Sequence, residues 1–459
     1  MREKVHILSL GCPKNLIDAE IMSASLQAAG FTITSREGEA AIIIVNTCTF
    51  ILPAKEESID EILRLAQCKT QGSCRHLIVT GCLAQRYGRE LGREIPEADL
   101  FLGINEVAHI ADHVEGLLRE PSALSGGGRI VTPPPTFLMT AQHKRRLATP
   151  SYRAYLKIAE GCSNRCSYCI IPSVRGALRS RPLHDILTEA GELADNGVRE
   201  LVITAQDTTA YGRDLIGRLS LPELLKKLAA IPRLRWIRLL YAYPEELTDH
   251  LFEVMAAEEK ICSYIDIPIQ HIDDEILAAM NRRGNSAMIR KHLEQARRII
   301  PGVALRTSLI VGFPGETPKK FKTLLSFVED MRFDHLGAFT YSPEEDTPAV
   351  TLPRHVGERT KIKRRARIME TQALISLDIN GSLISSVQEV LVEGRSDLAD
   401  YPYIGRCRRQ ASDIDGITYL RGENLAEGDF VMAKITAADE YDLFAVAEDI
   451  SISITPQEK

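Results

Sequence analysis

Apolar residues along this chain fall into short dense runs separated by amphipathic stretches, and their spacing divides the sequence into three regions. From residue 5 to about 118, VHILSL (5–10), AIIIVN (41–46), HLIVTG (76–81) and DLFLGI (99–104) alternate with helix-period segments. Runs of this length, rich in β-branched residues and bounded by turn formers, suit strands buried on both faces. Their alternation with helices predicts an open parallel α/β sheet over 1–120. Glycine and proline then interrupt the pattern, with SGGGR at 125–129 and PPP at 133–135, so 121–150 reads as a linker.

A second alternation occupies 151–380, with strand runs AYLKIA (154–159), ELVITA (200–205), WIRLLYA (236–242), YIDIPI (264–269), LRTSLIVG (305–312) and LGAFTY (336–341). Six βα units predict a partial (βα)6 barrel. From Val387 the runs shorten and close up (QEVLVEG, GITYLRG, DFVMAKIT, DLFAVAE) between glycine and Asp-Gly turns. Residues 387–453 therefore read as a small antiparallel β-barrel. No repeat of fixed period is present.

Length and composition agree with three globular regions: 459 residues, 44% hydrophobic and 26% charged. A net charge of -6 excludes a global basic field of the kind that advertises nucleic acid. No apolar run approaches the ~20 residues of a membrane span. The apolar part of MREKVHILSLGC is shorter than the roughly 7–15 residues of a secretory h-region. It is read as a buried strand, and the protein is expected in the cytoplasm.

The ten cysteines change the picture most. They are too few and too uneven for a disulfide framework, so clusters among them point to metal or catalysis. Cys162, Cys166 and Cys169 make a C-x3-C-x2-C run at the carboxyl end of the first strand of the central region, the face on which α/β barrels carry active sites. Cys12, Cys48 and Cys82 each stand just past the carboxyl end of a strand of the N-terminal sheet, where open α/β sheets bind ligands. Any one of these three alone reads as a buried small hydrophobe, but their common placement favours a shared metal site.

Each group offers three thiolates, one fewer than a cubane or structural zinc normally takes. Either a fourth cysteine arrives from elsewhere, or one metal position is left for something that is not protein. No histidine or further cysteine lies within ten residues of the 162–169 group, which disfavours a zinc knuckle. Cys68, Cys74, Cys262 and Cys407 have no partner at ligand spacing and read as core or surface thiols.

The C-x3-C-x2-C run, with Tyr168 before its last cysteine, resembles the signature of the radical S-adenosylmethionine (SAM) superfamily. Together with SLGCPKN, NTCTFI, EGCSNRCSYCIIPSVRG, QDTTAYG, YIDIPIQH, IVGFPGET and YSPEEDTPA, it resembles the radical SAM methylthiotransferase family over about 5–450. The resemblance implies an N-terminal methylthiotransferase domain, a radical SAM barrel and a C-terminal TRAM domain. It also implies two [4Fe–4S] clusters. One, on Cys162, Cys166 and Cys169, chelates SAM and generates a 5′-deoxyadenosyl radical. The other, on Cys12, Cys48 and Cys82, delivers the methylthio group. An unactivated C–H bond has no acid–base route to sulfur insertion, so a radical cofactor suits the chemistry. An electron donor such as a flavodoxin or ferredoxin is expected.

Supporting residues follow. Tyr168 is expected against the adenine or the cluster, or in the core. Gln206 and Arg306, on barrel strands, are assigned to SAM's amino group and carboxylate, with a salt bridge as the alternative for Arg306. The glycine turn VGFPGE (311–316), with Gly312, is the family's place for the nucleoside. His271 faces substrate or starts a helix. KIKRRAR (361–367) reads as a solvated helix face. Asp346 departs from the glycine expected at that turn, which puts the turn's geometry in question.

The family modifies either a protein aspartate or a tRNA adenosine. Val387 to Lys459 carries fifteen acidic against seven basic residues, which disfavours tRNA and suits a basic protein. Asp413, Asp415, Glu423 and Glu427 are read as surface acids of that barrel. With Pro13, Lys14 and IPSVRG, this favours the branch that methylthiolates the aspartate β-carbon of ribosomal protein uS12. A non-catalytic iron–sulfur scaffold is the third reading, disfavoured by the glycine turn and the polar strand ends.

Overall fold

The computed structural model describes residues 3–119, 128–217 and 219–448. They form two compact units: those up to 231 with 279–282 and 342–352, and 232–278 with 283–341 and those from 353 onward.

The first unit opens with a parallel sheet of β1 (Lys4–Ser9), β2 (Thr32–Ile33), β3 (Ile42–Thr47), β4 (His76–Gly81), β5 (Leu100–Leu102) and β6 (Arg129–Val131), in the order β2-β1-β3-β4-β5-β6. Every residue of β3 and β4 is buried, as expected for central strands covered by helices on both faces. Their side chains Ile43, Val45, Leu77 and Val79 pack with Ile62, Leu65, Leu83 and Phe101. The four predicted strands are present. Two more were not legible: the two-residue β2, and β6, which lies inside the stretch read as linker. β6 is a short edge strand, where proline just beyond it costs no ladder bond. Residues 120–127, including most of SGGGR, lie outside the described residues.

The chain turns back on itself between β1 and β3, because β2 and β4 lie on opposite sides of that pair. A strand order of this kind opens a crevice at the carboxyl ends of the two central strands.

The same unit continues with β7 (Arg153–Lys157), the short antiparallel pair β8 (Ala159–Glu160) and β9 (Arg179–Ser180), and β10 (Glu200–Thr204). β10 pairs parallel with β7, Thr204 facing Lys157.

The second unit contains β11 (Trp236–Leu239), β12 (Ile261–Asp266), β13 (Ala304–Val311) and β14 (His335–Thr340), paired parallel in sequence order. With β7 and β10 these complete the six predicted βα units. The helix Glu358–Ser382 follows. Its basic run is not wholly solvated, because Lys361 and Arg364 are buried.

The C-terminal region forms a closed barrel, β15 (Val387–Arg395), β16 (Tyr403–Cys407), β17 (Thr418–Arg421), β18 (Phe430–Ala438) and β19 (Leu443–Ala447), around Val390, Val392, Leu420, Ile435 and Ala445. The expected antiparallel pairing holds at four of the five neighbouring pairs, and β17 and β19 are parallel. Five strands cannot alternate direction around a closed ring, so at least one neighbouring pair must agree. No helix of the described residues is long and apolar enough to cross a membrane.

Candidate functional site

Both three-cysteine groups belong to the first unit. Cys12 caps the helix Pro13–Ala28 after β1, Cys48 follows β3, and Cys82 begins the helix Cys82–Glu94 directly after β4. Three strands separated in sequence thus end at one crevice. Gly11, at φ +86, makes the approach possible: a Cβ there would stand 2.7 Å from Cys48 Cβ and 2.9 Å from its sulfur. Only glycine gives both the left-handed backbone and the clearance.

Asn15 and Asn46 stitch the crevice together. The Asn15 amide donates to the carbonyls of Leu10 and Thr47, each at 2.9 Å, and the Asn46 amide donates to the Asn15 carbonyl at 2.7 Å. Burial pushes the Cys82 thiol up to about 12 and raises Cys48, with each sulfur feeling the charge of its neighbours. Burial opposes ionisation of Cys12 as well. There Lys14 and Arg175, with the backbone N–H groups of Asn15 and Lys14, outweigh it and hold the thiol below its ordinary value.

The second group lies on the loop after β8. Gly161, at φ +74, could carry no side chain, because a Cβ would meet the Ala177 carbonyl oxygen at 2.1 Å. The Cys162 amide donates to the Gly176 carbonyl at 3.0 Å, and the Cys169 amide closes a turn onto Cys166 at 3.1 Å. Ser167 anchors the middle, its amide on the Met280 carbonyl and its hydroxyl on that of Ala279. Burial raises the Cys162 thiol to about 11 and the Cys169 thiol to about 12, and Cys166 adds to both. Packed thiols of this kind give up their protons when a cation takes their place.

Among the described residues no three cysteine, histidine or carboxylate side chains are gathered tightly enough to hold a single metal ion. A cubane needs no such convergence, because each cysteine binds a different iron. Two sets of three thiols fit that group.

A buried ionic network, not foreseen from the sequence, lies beside the crevice. Lys157 bonds Asp18 and Glu160, both at 2.8 Å. Arg175 bonds Glu160 at 3.1 Å and Asp18 at 2.9 Å. Its Nε–H points at the Cys82 sulfur, 3.3 Å away. The available signal was a lysine and a glutamate embedded in the buried run AYLKIAE just before the cysteines.

The remaining predicted residues are dispersed. Tyr168 is half-buried on the cysteine loop. Gln206 follows β10; its amide donates to Glu160 at 2.7 Å and its carbonyl oxygen is buried without a hydrogen-bond partner. Arg306 is the residue assigned to SAM's carboxylate, with a salt bridge as the alternative. It lies at the amino end of β13, opposite the end that carries the glycine turn, and is paired with Asp266 at 2.8 Å and Asp415 at 3.2 Å. The salt-bridge alternative is the arrangement seen.

Gly312 adopts φ +75, with its N–H on Glu316 at 2.7 Å and Lys361 filling the space a side chain would need. His271 is fully buried. Its Nδ1 accepts the Asp273 N–H at 3.0 Å ahead of the helix Asp274–Ala279, the helix-start arrangement. Asp346 has φ +61, the left-handed conformation for which glycine was expected. Cys68 is half-buried, and Cys74, Cys262 and Cys407 are buried.

Comparison with known proteins gives this geometry a context. Residues 4–103 match the family described as Uncharacterized protein family UPF0004, 156–328 the Radical SAM superfamily and 384–447 the TRAM domain. The radical SAM methyltransferase TsrM from Kitasatospora setae shares the fold, with a TM-score of 0.54 at 15% identity over 88% of this chain and 82% of that one. Much nearer are two proteins named ribosomal protein uS12 methylthiotransferase RimO. That of Syntrophus aciditrophicus (strain SB) is 62% identical, covering 97% of this chain and 98% of its own. That of Geobacter sulfurreducens is 52% identical, covering 96% and 98%. With that identity over nearly the full length of both chains, and with all three domain types in order, this chain belongs to the RimO family of ribosomal protein uS12 methylthiotransferases.

Proposed function

We propose that this protein methylthiolates the β-carbon of an aspartate in ribosomal protein uS12, with one [4Fe–4S] cluster on Cys162, Cys166 and Cys169 and a second on Cys12, Cys48 and Cys82. The observation that carries the reading is the presence, in one compact unit, of two sets of three thiols, one of Cys12, Cys48 and Cys82 and one of Cys162, Cys166 and Cys169. When bound, the clusters and SAM supply the one-electron chemistry that an unactivated C–H bond requires.

The chain's own part is to bind and to orient. The loop anchored through Ser167 and Gly161 fixes the spacing of one thiol set. The paired asparagines Asn15 and Asn46 fix that of the other, in which Cys48 and Cys82 are buried. Gln206 is assigned to SAM's amino group, because its carbonyl oxygen is a buried acceptor with no partner in the protein. Tyr168 is assigned to an adenine or cluster contact from its place between Cys166 and Cys169.

Anaerobic reconstitution tests the reading, with about eight irons expected per chain if both sets hold cubanes. Replacing Cys162, Cys166 and Cys169 together with alanine should leave about half. Stoichiometric zinc with no iron defeats the proposal. Mass spectrometry of ribosomal proteins and tRNA from cells with and without the gene decides the substrate: loss of the modification from tRNA instead of uS12 would move the chain to the other branch.

A further inference from the structure

The Arg175 guanidinium is about 1% exposed, yet it belongs to neither cysteine group. Its Nε–H is directed at the Cys82 sulfur, one terminal nitrogen at Glu160, and the other at Asp18 and the Asn15 side-chain oxygen. Two cations, Lys157 and Arg175, balance the two carboxylates, so the hydrogen bond to sulfur is additional to a network already neutral. The next residue, Gly176, accepts the Cys162 amide through its carbonyl. It can bear no side chain, because a Cβ would meet the Pro135 carbonyl oxygen at 2.8 Å. Apolar contact runs the same way, with Cys82 packed among Ile104, Ile170 and Val174. The segment 170–176 therefore touches both thiol sets, one through a side chain and the other through the backbone.

We infer that Arg175 is a positioning residue for the second cluster, holding Cys82 by an N–H···S hydrogen bond and raising that cluster's reduction potential. The inference rests on the two-cluster reading above. Hydrogen bonds to sulfur and nearby positive charge stabilise the more negative, reduced form of an iron–sulfur centre. Lysine would keep the charge but cannot present a planar fork to sulfur, carboxylate and amide at once.

The test uses the full chain with Cys162, Cys166 and Cys169 all replaced by alanine, so that only the second set can hold iron. Midpoint potentials are measured by anaerobic EPR-monitored titration, beside iron content, for Arg175, Arg175→Lys and Arg175→Met. The expected result is iron retained throughout and a potential that becomes more negative in the order Arg, Lys, Met. If Arg175→Met leaves Asp18 uncompensated and the chain misfolds, Arg175→Met with Asp18→Asn restores the charge balance and should show the same negative shift. An unchanged potential with iron retained overturns the inference while leaving the clusters in place. No iron in the Arg175 parent overturns the two-cluster reading, and the inference with it.

Discussion

Arg306 of β13 donates its Nε–H to Asp415, in the segment between β16 and β17, across 3.2 Å. The same carboxylate accepts the Tyr264 hydroxyl at 2.7 Å and the Ala411 amide at 2.8 Å, with its side chain only 1% exposed. Asp415 is thus no surface acid, contrary to its reading from charge alone. Asp415→Lys should cost about 3–5 kcal/mol by burying a like charge beside Arg306. The denaturation midpoint should fall steeply, and Asp415→Asn should fall less because an amide oxygen still accepts from Tyr264. Full stability in Asp415→Lys would show that the pair does not form.

That contrast marks what sequence could and could not give. The strands of both α/β regions were legible because each is a continuous apolar run, and the cysteines because all six sit at strand ends or at fixed spacing. The contacts of Asp415, Arg306 and Arg175 were not, since a charged residue reads alike whether it is solvated or paired with a carboxylate far along the chain. Arg306 and Asp415 are 109 positions apart. The parallel pairing of β17 with β19 was hidden for another reason: it follows from ring closure, a property of all five strands together and of no single one.

The turn at Asp346 offers a backbone test. Its φ of +61 is accessible to glycine at no steric cost, and to aspartate more readily than to most residues. Neighbouring Glu344 is buried on Lys55 and Arg86, at 2.8 and 3.0 Å, so the loop cannot relax freely. Asp346→Gly should be neutral to slightly stabilising, whereas Asp346→Ala should lose about 1 kcal/mol. Thermal melts in which alanine equals glycine would rule out the left-handed turn.

The two thiol sets should separate by function. Cys166→Ala removes a donor from the set assigned to SAM and should abolish reductive SAM cleavage, seen as loss of 5′-deoxyadenosine. Cys48→Ala should spare that product and block methylthio transfer to uS12. Normal transfer by Cys48→Ala would withdraw the assignment of the crevice beside Gly11.

Association with uS12 tests the C-terminal barrel. Between Val387 and Lys459 acids outnumber bases fifteen to seven, a field that attracts a basic protein and repels phosphate. Deleting the barrel is a poor test. Glu389 accepts the Trp236 indole N–H at 2.7 Å and pairs with Arg235, and Arg408 bonds the Ile261 carbonyl at 2.8 Å, so truncation would strip partners from β11 and β12. Charge reversal at Asp400, Glu423 and Glu427, all exposed, leaves those bonds intact. The triple lysine variant should bind uS12 with an on-rate lower by about tenfold at low salt. The difference should shrink at physiological ionic strength, where exposed charges are screened beyond roughly 8–10 Å. SAM cleavage should be unaffected, because all three acids lie in the C-terminal region and all six assigned cysteines lie before residue 170. If the unaltered chain instead binds tRNA tightly and with strong salt dependence, while uS12 does not bind, the acidic barrel does not select the substrate and the protein-modifying assignment falls.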